Sequence, residues 1–277
     1  MDWNWLTSIL YGLLSGFSEL LPVSSAAHRQ LLCNLSGIQG GELPFRLMTH
    51  LGVLLALIVL CQPQIAKLRR EKRIASTPTR RRKRSPDSGS LAEYRLLKTA
   101  MLPLLVMAIL HLAFYRWESK PWVLSIVLIF HGAILYIPQF LPQANKNIYS
   151  LSALDGMLTG VMGGLGWIPG VSFIGPMTSA MQMRGADKEY LTKFCMLLLL
   201  PLTVLLIIAD IYFMAVASVG FSAAYLLLYL LAGIFSCVGA YLGGVFLRFL
   251  SVRLGFSGFA YYNWGLALLL FILYLTI

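Results

Sequence analysis

Acidic side chains are scarce: 11 Asp and Glu in 277 residues, against 22 Lys and Arg, hold the charged share at 12%. Soluble domains carry about a quarter, so an ordinary soluble fold is excluded. Cysteine and histidine are just as sparse, with four of each. Cys33, Cys61, Cys195 and Cys237 lie in or beside apolar segments without metal-ligand spacing, which argues for small interior residues and against a disulfide framework. His28, His50, His111 and His131 are too far apart in the chain to suggest a metal site. His50 alone stands at the start of an apolar run, where it can face a cavity; His111 and His131 read as hydrogen-bonded interior residues. The N-terminus has neither a basic stretch before its first apolar run nor a small-x-small cleavage site, so it is expected to be retained.

What the chain has is apolar length. Hydrophobic residues make up 58% of it and the mean hydropathy is +0.75, the composition of a polytopic membrane protein. Apolar runs near 43–62, 99–115, 121–141, 195–216, 222–247 and 257–277 each approach the ~20 residues that a helix needs to cross a bilayer. Two further segments, 3–36 and 150–180, are apolar but broken by Pro and Gly, and each is long enough to enter and return as a helix pair. The expected fold is therefore all-α: six transmembrane helices plus two re-entrant helix pairs in two inverted repeats, 1–142 and 143–277. A shift of 148 positions lays Gly12 on Gly160, Gly16 on Gly164, Val23 on Val171 and Ser24 on Ser172. Paired broken segments in two halves point to a site where their tips meet.

The first tip carries the chemistry. Glu19 sits inside an apolar run, three residues before Pro22 and nine before His28, and ionisable groups at membrane depth need a function or a partner. Pro22 should end the first half-helix near Leu20 or Leu21, and Ser24 or Ser25 can cap a second one whose first turn holds His28 and Arg29. Free N–H groups and a positive helix end then suit a phosphate or carboxylate. Glu19 is a candidate proton donor or acceptor; His28 can donate to an anion or act as acid or base. Ser24 and Ser25 divide between capping and ligand contact. Asp155 is expected to cap the second broken segment, Asp210 to face a neighbouring helix or the outer interface, and Arg184 to sit at the cytoplasmic interface.

Twelve of the 22 Lys and Arg fall between Lys67 and Lys98, including Arg80-Arg-Arg-Lys-Arg84 beside Ser76, Pro78, Ser85, Pro86 and Gly89. This segment, 63–98, reads as a flexible basic loop that faces the cytoplasm and anionic headgroups, not as a nucleic-acid site. The resulting topology puts both termini outside.

Gly16, Glu19, Leu20, Leu21, Pro22, Ser24, Ser25 and His28 closely follow the first motif of the undecaprenyl-diphosphate phosphatase family of the bacitracin-resistance type. Further similarity appears at His50-Leu-Gly52, at Gly185 through Pro201 and at Phe259-Ala-Tyr-Tyr-Asn263. The resemblance covers nearly the whole chain. It implies six spans with two re-entrant pairs, a bacterial inner-membrane location, and a polyprenyl (di)phosphate lipid as ligand. It also implies hydrolysis of undecaprenyl diphosphate to undecaprenyl phosphate, with Ser25 or His28 attacking and Glu19 as acid, base or metal contact. Gly170 and Ser172 of the second motif, Thr178 one residue past that motif's threonine position, Ser24 of the first motif and Arg29 beside His28 would bind substrate.

The departures touch this chemistry. Ser15 stands where the family has its first motif glutamate, Ala27 where it has glycine, and Phe173, Ile174 and Met177 where the second motif has arginine, serine and threonine. A phenylalanine cannot clamp a diphosphate, and Arg29 is the candidate replacement cation. Two readings therefore stand: an active phosphatase, and a homologue that binds polyprenyl phosphate or carries it between leaflets. A third, an interaction protein using the basic segment, is weaker. No dedicated cofactor is evident; Mg²⁺ or Ca²⁺ would be shared with the ligand phosphate, and a homodimer stays open.

Overall fold

The computed structural model describes residues 3–38, 40–114, 121–141, 146–253 and 256–276. Among them are ten α-helices and no β-strand. In chain order these are α1 (Trp5–Glu19), α2 (Ser25–Ser36), α3 (Glu42–Ser76), α4 (Ser88–Phe114), α5 (Pro121–Tyr136), α6 (Ala153–Gly164), α7 (Ile174–Met183), α8 (Lys188–Val216), α9 (Leu226–Arg253) and α10 (Gly258–Thr276). Six of them, α3, α4, α5, α8, α9 and α10, are long and apolar enough to cross a membrane, α5 together with the turn that follows it. The chain is a multi-span membrane protein. Its lipid-side faces show this directly: Leu55, Val59, Val106, Ile109, Ile129 and Leu227 are exposed.

The remaining four helices form two short pairs, α1–α2 and α6–α7. With 15, 12, 12 and 10 residues, at about 1.5 Å rise per residue, each falls short of a bilayer's ~30 Å core. Both breaks follow from local chemistry. Pro22 stops α1 at Glu19, and Ser24 starts α2 by accepting a hydrogen bond from the Ala27 N–H at 3.1 Å. Asp155 caps the start of α6, as expected, its carboxylate accepting from the Ser152 N–H at 2.7 Å and the Ser152 hydroxyl at 2.9 Å, and Arg184 also donates to that carboxylate. Between α6 and α7 the chain turns through Gly170 at φ +99°, a conformation reserved for glycine, and Ser172 Oγ accepts from the Gly175 N–H at 2.9 Å.

Glycine sets the packing. Gly12 and Gly16 on α1 lie against the backbone of Ala232, Ser236 and Ala240 on α9, while Gly160 on α6 lies against Ala100 on α4. The two contacts involve residues that the 148-position shift superposes. A Cβ at Gly16 or Gly160 would run into a carbonyl oxygen that neither helix can move alone. Gly160→Val is expected to cost ~1–3 kcal/mol of overpacking, read as a lower unfolding midpoint in detergent; an unchanged midpoint would show that α6 can slide on α4.

The basic segment corrects the expectation of a loop over 63–98. Helix α3 runs on to Ser76 and α4 begins at Ser88, so the connection is confined to 77–87. Lys and Arg are good helix formers, and their charge does not end a helix once it has left the apolar layer. Glu71, 1% exposed, anchors the connection by accepting from Arg84 Nη2 at 2.5 Å, the Asp87 N–H at 2.9 Å and Arg70 Nε at 3.2 Å. Asp87 in turn takes the Ser90 hydroxyl at 2.6 Å and Lys67 at 3.1 Å, and these two hold its carboxyl down at about 2. A lowered carboxylate pKa stabilises the fold above the unfolded value of ~3.9 and ceases to do so as pH falls to about 2. Glu71→Gln is expected to speed tryptic cleavage at Arg80–Arg84 severalfold at neutral pH; equal cleavage would show that the anchor is not what orders the connection.

Candidate functional site

The two breaks face one another across a cleft with about 590 Å³ of empty space, counted out to its mouth. The first tip contributes Glu19, Val23, Ser25 and Arg29, the second Gly166 through Phe173, and the walls are Arg46 and His50 of α3, His111 of α4 and Asp210 of α8. Positions i and i+4 of a helix share a face, which brings Ser25 and Arg29 of α2 to the same side of the cleft. Ser25 Oγ donates to Glu19 Oε2 at 2.5 Å, a hydroxyl and a carboxylate that Pro22 brings together by breaking the helix between them. Arg29 is 8% exposed, and its Nη1 is buried without a hydrogen-bond partner among the described residues.

Five of the residues anticipated from sequence meet here: Glu19, Ser25, Arg29, Gly170 and Ser172. Three do not. Ser24 is spent on capping α2. Thr178 is fully buried in α7, its hydroxyl returning to the Ile174 and Gly175 carbonyls at 2.9 and 2.8 Å. His28 lies on the other side of α2 and lines a separate, largely apolar groove with Leu14, Phe17, Phe246 and Tyr262. Its Nδ1 must donate to the Ser24 carbonyl at 2.5 Å, so a neutral ring accepts at Nε2 from the Tyr262 hydroxyl at 2.6 Å. Both nitrogens are thus occupied. The expected meeting of Glu19 and His28 in one pocket does not occur, although Val23 borders both spaces.

Arg46 and Asp210 were not anticipated as site residues. Arg46 and His50 stand one turn apart on α3 and converge on Asp210 of α8: Arg46 Nε donates to Oδ1 at 2.7 Å and His50 Nδ1 to Oδ2 at 2.5 Å. All three are at most 9% exposed. The available signal was an arginine in one apolar run and an aspartate in another, opposite charges that membrane depth obliges to pair. His131, expected to be hydrogen-bonded, is fully buried with Asn263 as its side-chain neighbour, at a geometry short of a well-formed hydrogen bond.

Six apolar spans around a polar cleft between two broken helix pairs define a multi-span membrane protein. The chain matches the model of the bacitracin resistance protein BacA family over residues 8–269, and it belongs to that family. It is 25% identical over 280 residues to an undecaprenyl-diphosphatase of Carboxydothermus hydrogenoformans, covering 98% of this chain and 97% of that protein. It is 22% identical to one from Halothermothrix orenii, covering 96% of each, and 27% identical to one from Marinobacter nauticus over 72% of this chain and 73% of that protein.

Proposed function

We propose that this protein hydrolyses undecaprenyl diphosphate, or a polyprenyl diphosphate of similar chain, to the monophosphate at the outer face of a bacterial inner membrane. The observation that carries the reading is the unpartnered guanidinium nitrogen of Arg29, buried on a cleft that also holds Arg46, Glu19 and Ser25. A buried guanidinium nitrogen without a partner is costly unless a ligand supplies one, and two guanidinia match the oxygens of a diphosphate. Glu19 is placed to take the Ser25 proton, making Oγ a nucleophile toward the terminal phosphorus. The bridging P–O bond then breaks with its electron pair passing to the polyprenyl phosphate. Gly170 and Ser172 line the second side. The basic end of α3 faces the cytoplasm by charge, which puts this cleft and both termini on the outer side and makes the two halves inverted repeats with re-entrant pairs.

No three His, Cys, Asp or Glu side chains gather as a metal cage among the described residues. With Asp210 engaged by Arg46 and His50, Glu19 is the carboxylate the cleft can offer, so a Mg²⁺ or Ca²⁺ ion there would take its other ligands from phosphate and water.

The apolar groove at His28, about 450 Å³, has room for part of a prenyl tail, and Val23 joins it to the cleft. His28→Gln is expected to raise KM for the lipid several-fold at nearly constant kcat, measured by phosphate release at graded substrate. A fall in kcat alone would return His28 to the chemical step.

A second reading, transport of a polyprenyl phosphate between leaflets, is favoured by another cavity at the basic ends of α3 and α8. It holds Lys67, Glu93, Lys193 and Arg248, and both Arg248 Nε and the Tyr190 hydroxyl are buried without partners among the described residues. His50 at the first cleft and Gln64 at this cavity are 14 positions apart on α3, about 21 Å along a helix. Phosphate release from undecaprenyl diphosphate by the purified protein tests the first reading; labelled polyprenyl phosphate changing leaflets in proteoliposomes without phosphate release would favour the second.

A further inference from the structure

We propose that His50, oriented by Asp210, is the base that activates water to clear the phosphoryl group from Ser25. The inference rests on the hydrolase reading. His28 cannot fill this role as it stands, because the Ser24 carbonyl and the Tyr262 hydroxyl engage both of its nitrogens on the far side of α2. His50 is arranged differently. The Asp210 carboxylate can only accept, so in the neutral ring Nδ1 of His50 carries the proton and Nε2 presents a lone pair. Nε2 has no hydrogen-bond partner among the described residues, and His50 lines the cleft that Ser25 and Glu19 enter. A carboxylate holding one imidazole nitrogen fixes the tautomer and stabilises the imidazolium that forms when the other takes a proton.

The two half-reactions divide between two carboxylates. In the first, Ser25 Oγ bonds to the terminal phosphorus, Glu19 takes the hydroxyl proton, and polyprenyl phosphate leaves. In the second, a water oxygen bonds to phosphorus as Nε2 of His50 takes its proton. The P–Oγ bond breaks, Glu19 returns its proton to Oγ, and inorganic phosphate departs with the proton held on His50 released to solvent. Arg46, held by the other oxygen of the same Asp210, keeps the phosphoryl oxygens neutralised through both steps. Asp210 is thus a positioning residue for His50 and for Arg46. The remaining ionisable groups facing this space are Arg29, Glu19 and His111.

The test is rapid-quench kinetics on purified full-length protein with undecaprenyl diphosphate labelled in the terminal phosphate. In His50→Gln, whose amide can still hydrogen-bond Asp210, one equivalent of undecaprenyl phosphate is expected to form at the native rate and label to remain on Ser25. Steady phosphate release should fall roughly 10²–10⁴-fold, the usual contribution of a positioned base. Asp210→Asn should show the same trapped label together with a raised KM, because Arg46 loses its anchor as well. Arg46→Gln should slow both steps without trapping label. Steady release at the native rate by His50→Gln, or a stall before undecaprenyl phosphate forms, overturns the assignment. Wild-type protein releasing neither undecaprenyl phosphate nor phosphate overturns the hydrolase reading itself, a result distinct from a His50-specific null. Trapped label on Ser25 in His28→Gln but not in His50→Gln would assign the role to His28 instead.

Discussion

Glu19→Gln is expected to reduce phosphate release from undecaprenyl diphosphate by two to four orders of magnitude, the span that loss of a positioned general base produces. The substitution keeps the shape of the side chain and leaves the Ser25 hydroxyl a hydrogen-bond partner in place of the Glu19 carboxylate that receives it now at 2.5 Å. What it removes is the ability to accept the proton. Glu19 is 5% exposed at the very end of α1, and its carboxylate is the group that the Ser25 hydroxyl meets. Lipid binding, measured with a non-hydrolysable diphosphate analogue, should be retained or strengthened, since a negative charge leaves the anion site. Release continuing within tenfold of wild type would move the base elsewhere, and the Ser25–Glu19 contact would then be structural.

The span count, the break at Pro22 and the broken segment 150–180 were legible because each rests on short-range chemistry: uninterrupted apolar length, a missing N–H, a serine able to cap. The basic segment was misread for a related reason. Composition separates solvated from buried chain but says little of whether a solvated lysine-rich stretch stays helical, and Glu71 gathering Arg70, Arg84 and Asp87 is a tertiary event. The site was read to the right element and partly to the wrong face. On α2, Arg29 lies about 40° from Ser25 around the helix axis and His28 about 60° the other way. Proximity in sequence placed both beside Glu19, whereas the helix sends one to the cleft and the other to the apolar groove. Arg46 and Asp210, 164 positions apart, could be seen as isolated charges in apolar runs but not as partners, because the packing of α3 on α8 decides that pairing.

The missing motif arginine leads to the prediction with the clearest opposite signs. Phe173 lines the cleft with its ring edge-on to Trp167 at 5.4 Å, so the second tip supplies packing where it would otherwise supply charge, and the positive charge comes from Arg29 and Arg46. Arg29 carries a buried nitrogen that no described residue satisfies, and the empty protein bears that desolvation. Arg29→Met should therefore stabilise the ligand-free protein by about 1–3 kcal/mol, the cost of a buried donor left unsatisfied, while cutting turnover roughly a hundredfold to a thousandfold. The two effects are read separately, as a higher unfolding midpoint in detergent and a lower rate of phosphate release. Pyrophosphate should raise the midpoint of wild-type protein, since a ligand that binds only the folded state stabilises it in proportion to its occupancy, and should do so much less in the variant. Adding Phe173→Arg to Arg29→Met restores a guanidinium from the opposite tip and should recover part of both the rate and the pyrophosphate response. A variant that loses stability along with activity would mean that Arg29 is a structural cation with partners of its own, and the anion site would have to be sought away from the first tip.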